Sequence, residues 1–207
     1  MKKILCFFLC IVIVLIGALG ASNMKAQAAE NDISNKIIRF HVIANSDSLK
    51  DQAVKLKVRD DVLSFLSPKL EKSSSVEESR GILNKNSSKI KEIAETQLRK
   101  SGYKYGVKTE LSNENFPIKT YGNITLPQGK YQAYRIIIGS GKGQNWWCVM
   151  FPPLCFVDIT RGSISYKQTQ KEMMKVLTPE EYSLVDNQNV GDIKIKFKFI
   201  EILNKIF

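Results

Sequence analysis

Residues Ile4 to Leu19 form an apolar run broken only by Gly17, with Lys2 and Lys3 before it and Ala26-Gln27-Ala28 after it. A basic start, an apolar stretch of this length and a small-x-small site together describe a secretory signal peptide over residues 1–28. The alternative is an uncleaved membrane anchor. Its roughly 16 apolar residues sit at the short edge of the about 20 that a spanning helix needs. Both readings place residues 29–207 outside the cytoplasm, where they are expected to fold as a single extracytoplasmic domain.

That segment also changes what the rest of the chain can do. The whole sequence carries 31 Lys+Arg against 20 Asp+Glu, a net charge of +11, with four cysteines and one histidine. Removing residues 1–28 takes away Lys2, Lys3 and Lys25 with no acid, which leaves +8. Cys6 and Cys10 leave as well, so the minimum set for a four-thiolate zinc site is gone and no metal or cofactor is expected. A basic exported domain meets an anionic membrane surface, an anionic wall polymer or an acidic patch on another protein rather than nucleic acid.

The whole chain has 43% hydrophobic residues, enough for a core. Ile37 to Ala44 reads as a strand, rich in β-branched residues and covered on both faces at its start. Asn45-Ser46-Asp47-Ser48 is a turn, and Ser48 with Asp51 resembles a capping box opening an amphipathic helix that runs to Leu70. Ser75 with Glu78 opens a second helix, weak between Asn84 and Ser88 and closed near Gly102. Beyond it the texture is β-like. Strands are expected at Tyr105–Leu111, Tyr121–Leu126, Tyr131–Ile138 and Trp146–Phe151, the last two joined as a hairpin by a flexible Gly-rich loop. Residues 168–187 should hold a short helix and a loop, and the alternation Ile193, Ile195, Phe197, Phe199 a further strand. The order predicts an α+β fold, a mostly antiparallel sheet with two N-terminal helices packed on one face.

Four groups of residues invite chemistry. Gly139-Ser140-Gly141-Lys142-Gly143 fits neither phosphate-loop spacing and precedes no helix, so it reads as a loop. His41 with Cys148 or Cys155 supplies the parts of a thiol hydrolase acting on peptide or wall material, although His41 lies mid-strand among apolar neighbours. Cys148 and Cys155, in an exported chain, most simply form a disulfide. Trp146 and Trp147 are adjacent, so in a strand they point to opposite faces, and whichever is not in the core needs a second layer or a partner.

Two segments together resemble the stage II sporulation protein R family of endospore-forming Firmicutes. They are Arg39-Phe40-His41-Val42-Ile43-Ala44-Asn45-Ser46-Asp47-Ser48, continuing through Asp51-Gln52 and Lys55 to Asp60, and Asn145 to Asp158 with its Trp-Trp-Cys and Phe-Pro-Pro-Leu-Cys-Phe runs. Phe116-Pro117, Tyr121-Gly122 and Leu126 to Tyr131 match between them, and Phe40 stands where a leucine is expected. The likeness covers roughly residues 36–158, and the tail after about 165 carries no matching motif. It implies a signal protein exported by the forespore into the space between the forespore and mother-cell membranes. There it would activate a membrane-embedded aspartic protease that processes pro-sigma-E, with no catalytic site and no small-molecule substrate of its own. The expected contact residues are Asn45, Asp47, Asp51, Trp146, Trp147, Phe151, Leu154 and Phe156.

Overall fold

The strand predicted at Ile37–Ala44 is an inner strand of the main sheet. In the computed structural model, which describes residues 32–155 and 166–187, all six residues of β1 (Ile38–Ile43) are buried. Next come α1 (Leu49–Leu70), α2 (Val76–Lys85) and α3 (Ser87–Lys100). The strands β2 (Val107–Phe116), β3 (Lys119–Tyr121), β4 (Ile124–Leu126), β5 (Gly129–Ile138) and β6 (Asn145–Phe151) follow, then α4 (Tyr166–Met173) and α5 (Pro179–Val185). Residues 1–28, expected as a signal peptide, Phe156 and the alternating tail at 193–199 lie outside the described residues.

The fold is mixed α+β. Four strands make one sheet in the order β2-β5-β1-β6, and β3 pairs with β4 separately. β5 runs parallel to β1, while β2–β5 and β1–β6 are antiparallel, so the sheet is mixed. The expected β5–β6 hairpin is absent because β1 inserts between the two strands. Residues 139–144 therefore cross over the C-terminal end of β1 instead of closing a local turn.

Alternation divides β1 between two layers. Ile38, Phe40 and Val42 join Val54, Val58, Val62, Leu63, Leu66 and Leu70 of α1, with Leu83, Ile90, Ala94 and Leu98, in the larger core cluster. Truncating any one of these buried leucines to alanine costs about 2–5 kcal/mol. Three helices stand here where two were expected. The break falls at Asn86, whose side-chain amide donates to the Ile82 carbonyl at 2.7 Å and ends α2. Both serine caps form: Asp51 N–H donates to Ser48 Oγ, and Glu78 N–H to Ser75 Oγ, each at 3.1 Å. α3 ends in a Schellman pattern, with Tyr103 N–H on the Leu98 carbonyl and Gly102 N–H on that of Arg99.

The opposite face of the sheet carries a second layer that the sequence pattern did not reveal. Ile33, Ile37, Val149 and Leu154 pack there with Ile124 and Leu126 of β4 and with Met173, Leu177, Tyr182 and Val185 around α4 and α5. The segment at 166–187 thus forms two short helices rather than a helix and a loop. Thr178 and Glu181 build a full capping box on α5, and Lys36 Nζ reaches Glu181 at 2.6 Å, tying the start of the chain to this layer.

Candidate functional site

The turn after β1 and the glycine-rich crossover are one interlocked unit. Ser140 N–H donates to Asn45 Oδ1 at 2.9 Å, Ser140 Oγ–H to the Asn45 carbonyl at 2.7 Å, and Gln144 N–H to Asp47 Oδ1 at 2.7 Å. Gly143 N–H reaches the Ala44 carbonyl at 2.9 Å. A Cβ on Gly143 would stand 2.3 Å from the Ser46 carbonyl oxygen, and one on Gly139 would stand 2.3 Å from Asn45 Oδ1. The glycines serve close backbone approach, not flexibility.

Asp51 anchors the turn from the first turn of α1. Ser46 Oγ and Asn45 Nδ2 donate to Oδ2 at 2.6 and 2.9 Å, and Tyr105 OH donates to Oδ1 at 3.3 Å. These bonds, those from Ser46 and Asn45 foremost, hold its carboxyl below the usual carboxylate range. Asn45 and Asp51 are thus spent on holding the turn, and Asp47 alone keeps an exposed side chain. Asp51→Ala leaves three donors without their charged acceptor. With Asp51 itself only 4% exposed, those donors lose a partner in a largely closed site, and the expected loss is about 2 kcal/mol, read from the denaturant midpoint.

The two tryptophans point to opposite faces, as adjacency in a strand requires. Trp146, half-buried, lies on the helix side, edge-on to Phe40 and with the Arg59 guanidinium 4.7 Å from its ring centroid. Its neighbourhood joins the turn, since Lys55 Nζ donates to the Gln144 carbonyl at 3.0 Å. Leu49, Gln52, Leu56 and Arg59 follow helical spacing along the same side of α1. Leu49 is 89% exposed and Leu56 38%. Phe151 and Leu154, expected as contacts, are core side chains at 2% and 0% exposure.

Trp147 lies on the other face, stacked on His41 with ring centroids 4.9 Å apart and 6° between planes. Phe116 stands edge-on to both rings. The hydrolase pair does not form. β1–β6 register sets His41 opposite Trp147 and Phe40 opposite Cys148, so the histidine and this cysteine occupy different faces. Cys155 belongs to the helix-side core. Cys148 and Cys155 are free buried thiols, not the expected disulfide. Cys155 donates to the Val149 carbonyl at 2.8 Å, and burial together with the Cys148 thiol pushes its ionisation well above the usual thiol range. A thiolate nucleophile is disfavoured there.

Burial, and after it the Arg135 guanidinium, brings His41 down to about 4, so its ring is neutral at physiological pH. Arg135 itself is held by Glu110 at 2.6 Å and Glu114 at 2.7 Å. Arg39, two residues before His41, is fully buried. It carries no mark in the sequence beyond a cation alternating with His41 in an apolar strand, and it was not expected to matter. Among the described residues no group of three His, Cys, Asp or Glu could hold a metal, and no helix is long and apolar enough to cross a membrane.

Comparison with known proteins agrees with the motifs. A family model described as stage II sporulation protein R matches residues 34–161. The stage II sporulation protein R of Bacillus subtilis (strain 168) is 34% identical over 223 aligned positions, covering 100% of both chains. No solved structure matches.

Proposed function

The chain belongs to the stage II sporulation protein R family, and from that premise we propose that it is an exported signal of sporulation. Residues 1–28 direct it out of the forespore, and residues 29–207 act as one domain between the forespore and mother-cell membranes. It binds and activates a membrane-embedded aspartic protease, which then removes the pro-sequence of sigma-E. Its net charge of +8 after processing favours residence near anionic lipid, at about 1 kcal/mol for each basic residue close to the surface.

One observation supports a binding role for this surface above the rest. The two segments that carry the family likeness lie about a hundred residues apart, yet the 45–51 turn, the 139–144 crossover, Arg59 and Trp146 adjoin one another beside an almost fully exposed leucine. An exposed apolar side chain at the start of α1, on the side of the helix whose Arg59 lies against the half-buried Trp146, is the composition of an interface.

Leu49→Glu tests the surface. At 89% exposure its side chain contributes little to stability, so the variant should unfold within about 0.5 kcal/mol of the parent. Burying the new charge against the protease should weaken activation about 30-fold or more, measured as processed sigma-E against dose of the signal protein. Full activity of a folded Leu49→Glu protein would remove this surface from the account. Processing of pro-sigma-E by the protease, with and without this chain in one cell, tests the function itself.

A further inference from the structure

The face of the sheet away from the proposed contact surface holds a charge with no counter-charge among the described residues. Arg39 is 0% exposed, and Nη2 donates to Tyr121 OH at 3.0 Å. Among the described residues its Nε and Nη1 have no hydrogen-bond partner. Rings surround it instead: the guanidinium carbon lies 4.3 Å from the centroid of Phe116, 4.8 Å from that of Tyr131 and 5.6 Å from that of Tyr121. Cation–π contact compensates part of the desolvation of a buried guanidinium, but it leaves two N–H donors open.

Unmet polar atoms continue outward along the same face. Both ring nitrogens of His41, at 3% exposure, lack a partner, as do Arg135 Nε and Asn145 Oδ1. The Asn145 amide lies near the His41 ring without reaching hydrogen-bond geometry. The nearest acids, Glu110 and Glu114, are both committed to Arg135 Nη1. Trp147, half-buried and with Lys119 Nζ 5.8 Å from its ring centroid, forms the outer wall over His41. The row from Trp147 through His41 to Arg39 therefore runs from a half-buried ring to a fully buried cation, with unmet donors at its inner end.

We infer that Arg39 is the receptor of a carboxylate presented by a protein partner, admitted when the Trp147 indole moves off His41. The open Nε–H and Nη1–H lie on opposite edges of the guanidinium, so a carboxylate oxygen accepts from one of them while its charge meets the buried cation, and the neutral His41 ring supplies one further donor. The site is separate from the Leu49–Trp146 surface and stands or falls independently of it.

The chain has one histidine, so its ring is a probe that needs no assignment. The intact protein, labelled at histidine Cε1, would be titrated with blocked Gly-Glu-Gly, with its Gly-Gln-Gly counterpart and with an N-blocked Gly-Gly-Gly bearing a free C-terminal carboxylate. The expected result is a saturable shift of the histidine signal with a carboxylate peptide and none with the glutamine peptide. Which carboxylate peptide binds tells a side-chain ligand from a chain terminus. Arg39→Met, which keeps the length and apolar stem, should weaken that binding about 30-fold or more. A second variant, Arg39→Lys, keeps the charge but loses the planar guanidinium and should bind only weakly. A histidine signal that ignores both carboxylates at their highest soluble concentrations, or responds equally in Arg39→Met, would overturn the proposal. In that case buried water completes the guanidinium.

Discussion

Replacing Gly143 with alanine is expected to destabilise the protein by about 3–4 kcal/mol, a large loss for one methyl group. The added Cβ would meet backbone, not a movable side chain: the Ser46 carbonyl oxygen at 2.3 Å, its carbon at 2.5 Å and Ala44 Cβ at 2.9 Å. Relief requires the crossover to lift from the end of β1. That movement breaks the Gly143 N–H bond to the Ala44 carbonyl and strains those of Ser140 and Gln144 to Asn45 and Asp47. Activation should fall with stability, because the same shift displaces the turn beside Leu49 and the start of the strand carrying Trp146. A Gly143→Ala protein that melts with the parent would show that the crossover is not the lock described above.

The second large effect is a dependence on pH. His41 is held to about 4 in the folded protein, and the unfolded chain binds the same proton near 6.5. Between these values the unfolded state holds more protons, so stability rises with pH through the window and falls as pH drops from 6.5 to 4. At 1.36 kcal/mol per unit the loss approaches about 3 kcal/mol at the bottom of the window. Asp51, Glu110 and Glu181 have lowered carboxyl ionisation, so the stability each adds is lost at still lower pH. Denaturant midpoints from pH 7 to pH 4 should trace the slope. His41→Leu should flatten it, since that side chain takes no proton, and an equal slope in the variant would place the titrating group elsewhere.

What the amino-acid sequence disclosed and what it hid follow from the range of the interactions. β1, α1 and the serine caps at 48 and 75 were legible because their signals are local: branched apolar runs, helical spacing and an oxygen three residues before an N–H. The pairing of β5 with β6 was misread for the same reason. Two strong strands around a glycine-rich connection look like a hairpin, and only the distant β1, which inserts between them, shows otherwise. The glycines were read as slack when they are close contacts, because the residues they approach, Ala44 to Ser46, lie about a hundred positions away. The second layer was hidden because β3, β4, α4 and α5 are each eight residues or fewer, too short for a clear period.

The candidate site was legible in part. Adjacency alone sent Trp146 and Trp147 to opposite faces, and both rings are half-buried there. Phe151 and Leu154 were assigned to a surface because aromatic and apolar residues near a proline turn look alike whether buried or displayed. Their burial comes from the second layer and from the bulge that shifts β6 register at Ile38/Arg39. Arg39 stood inside a matching segment, yet nothing local says that a strand arginine lacks an acid. That needs every neighbour in three dimensions.

The central claim, that this chain switches on a membrane protease through the surface around Leu49 and Trp146, is tested most directly by reconstituting the step. The protease and pro-sigma-E would be co-expressed in a non-sporulating host, with this chain exported to the protease's outer face, withheld, or supplied as Leu49→Glu. The account predicts mature sigma-E with the parent protein, little without it, and a loss of about 30-fold or more with the variant. Equal maturation in the presence and absence of the chain would contradict it.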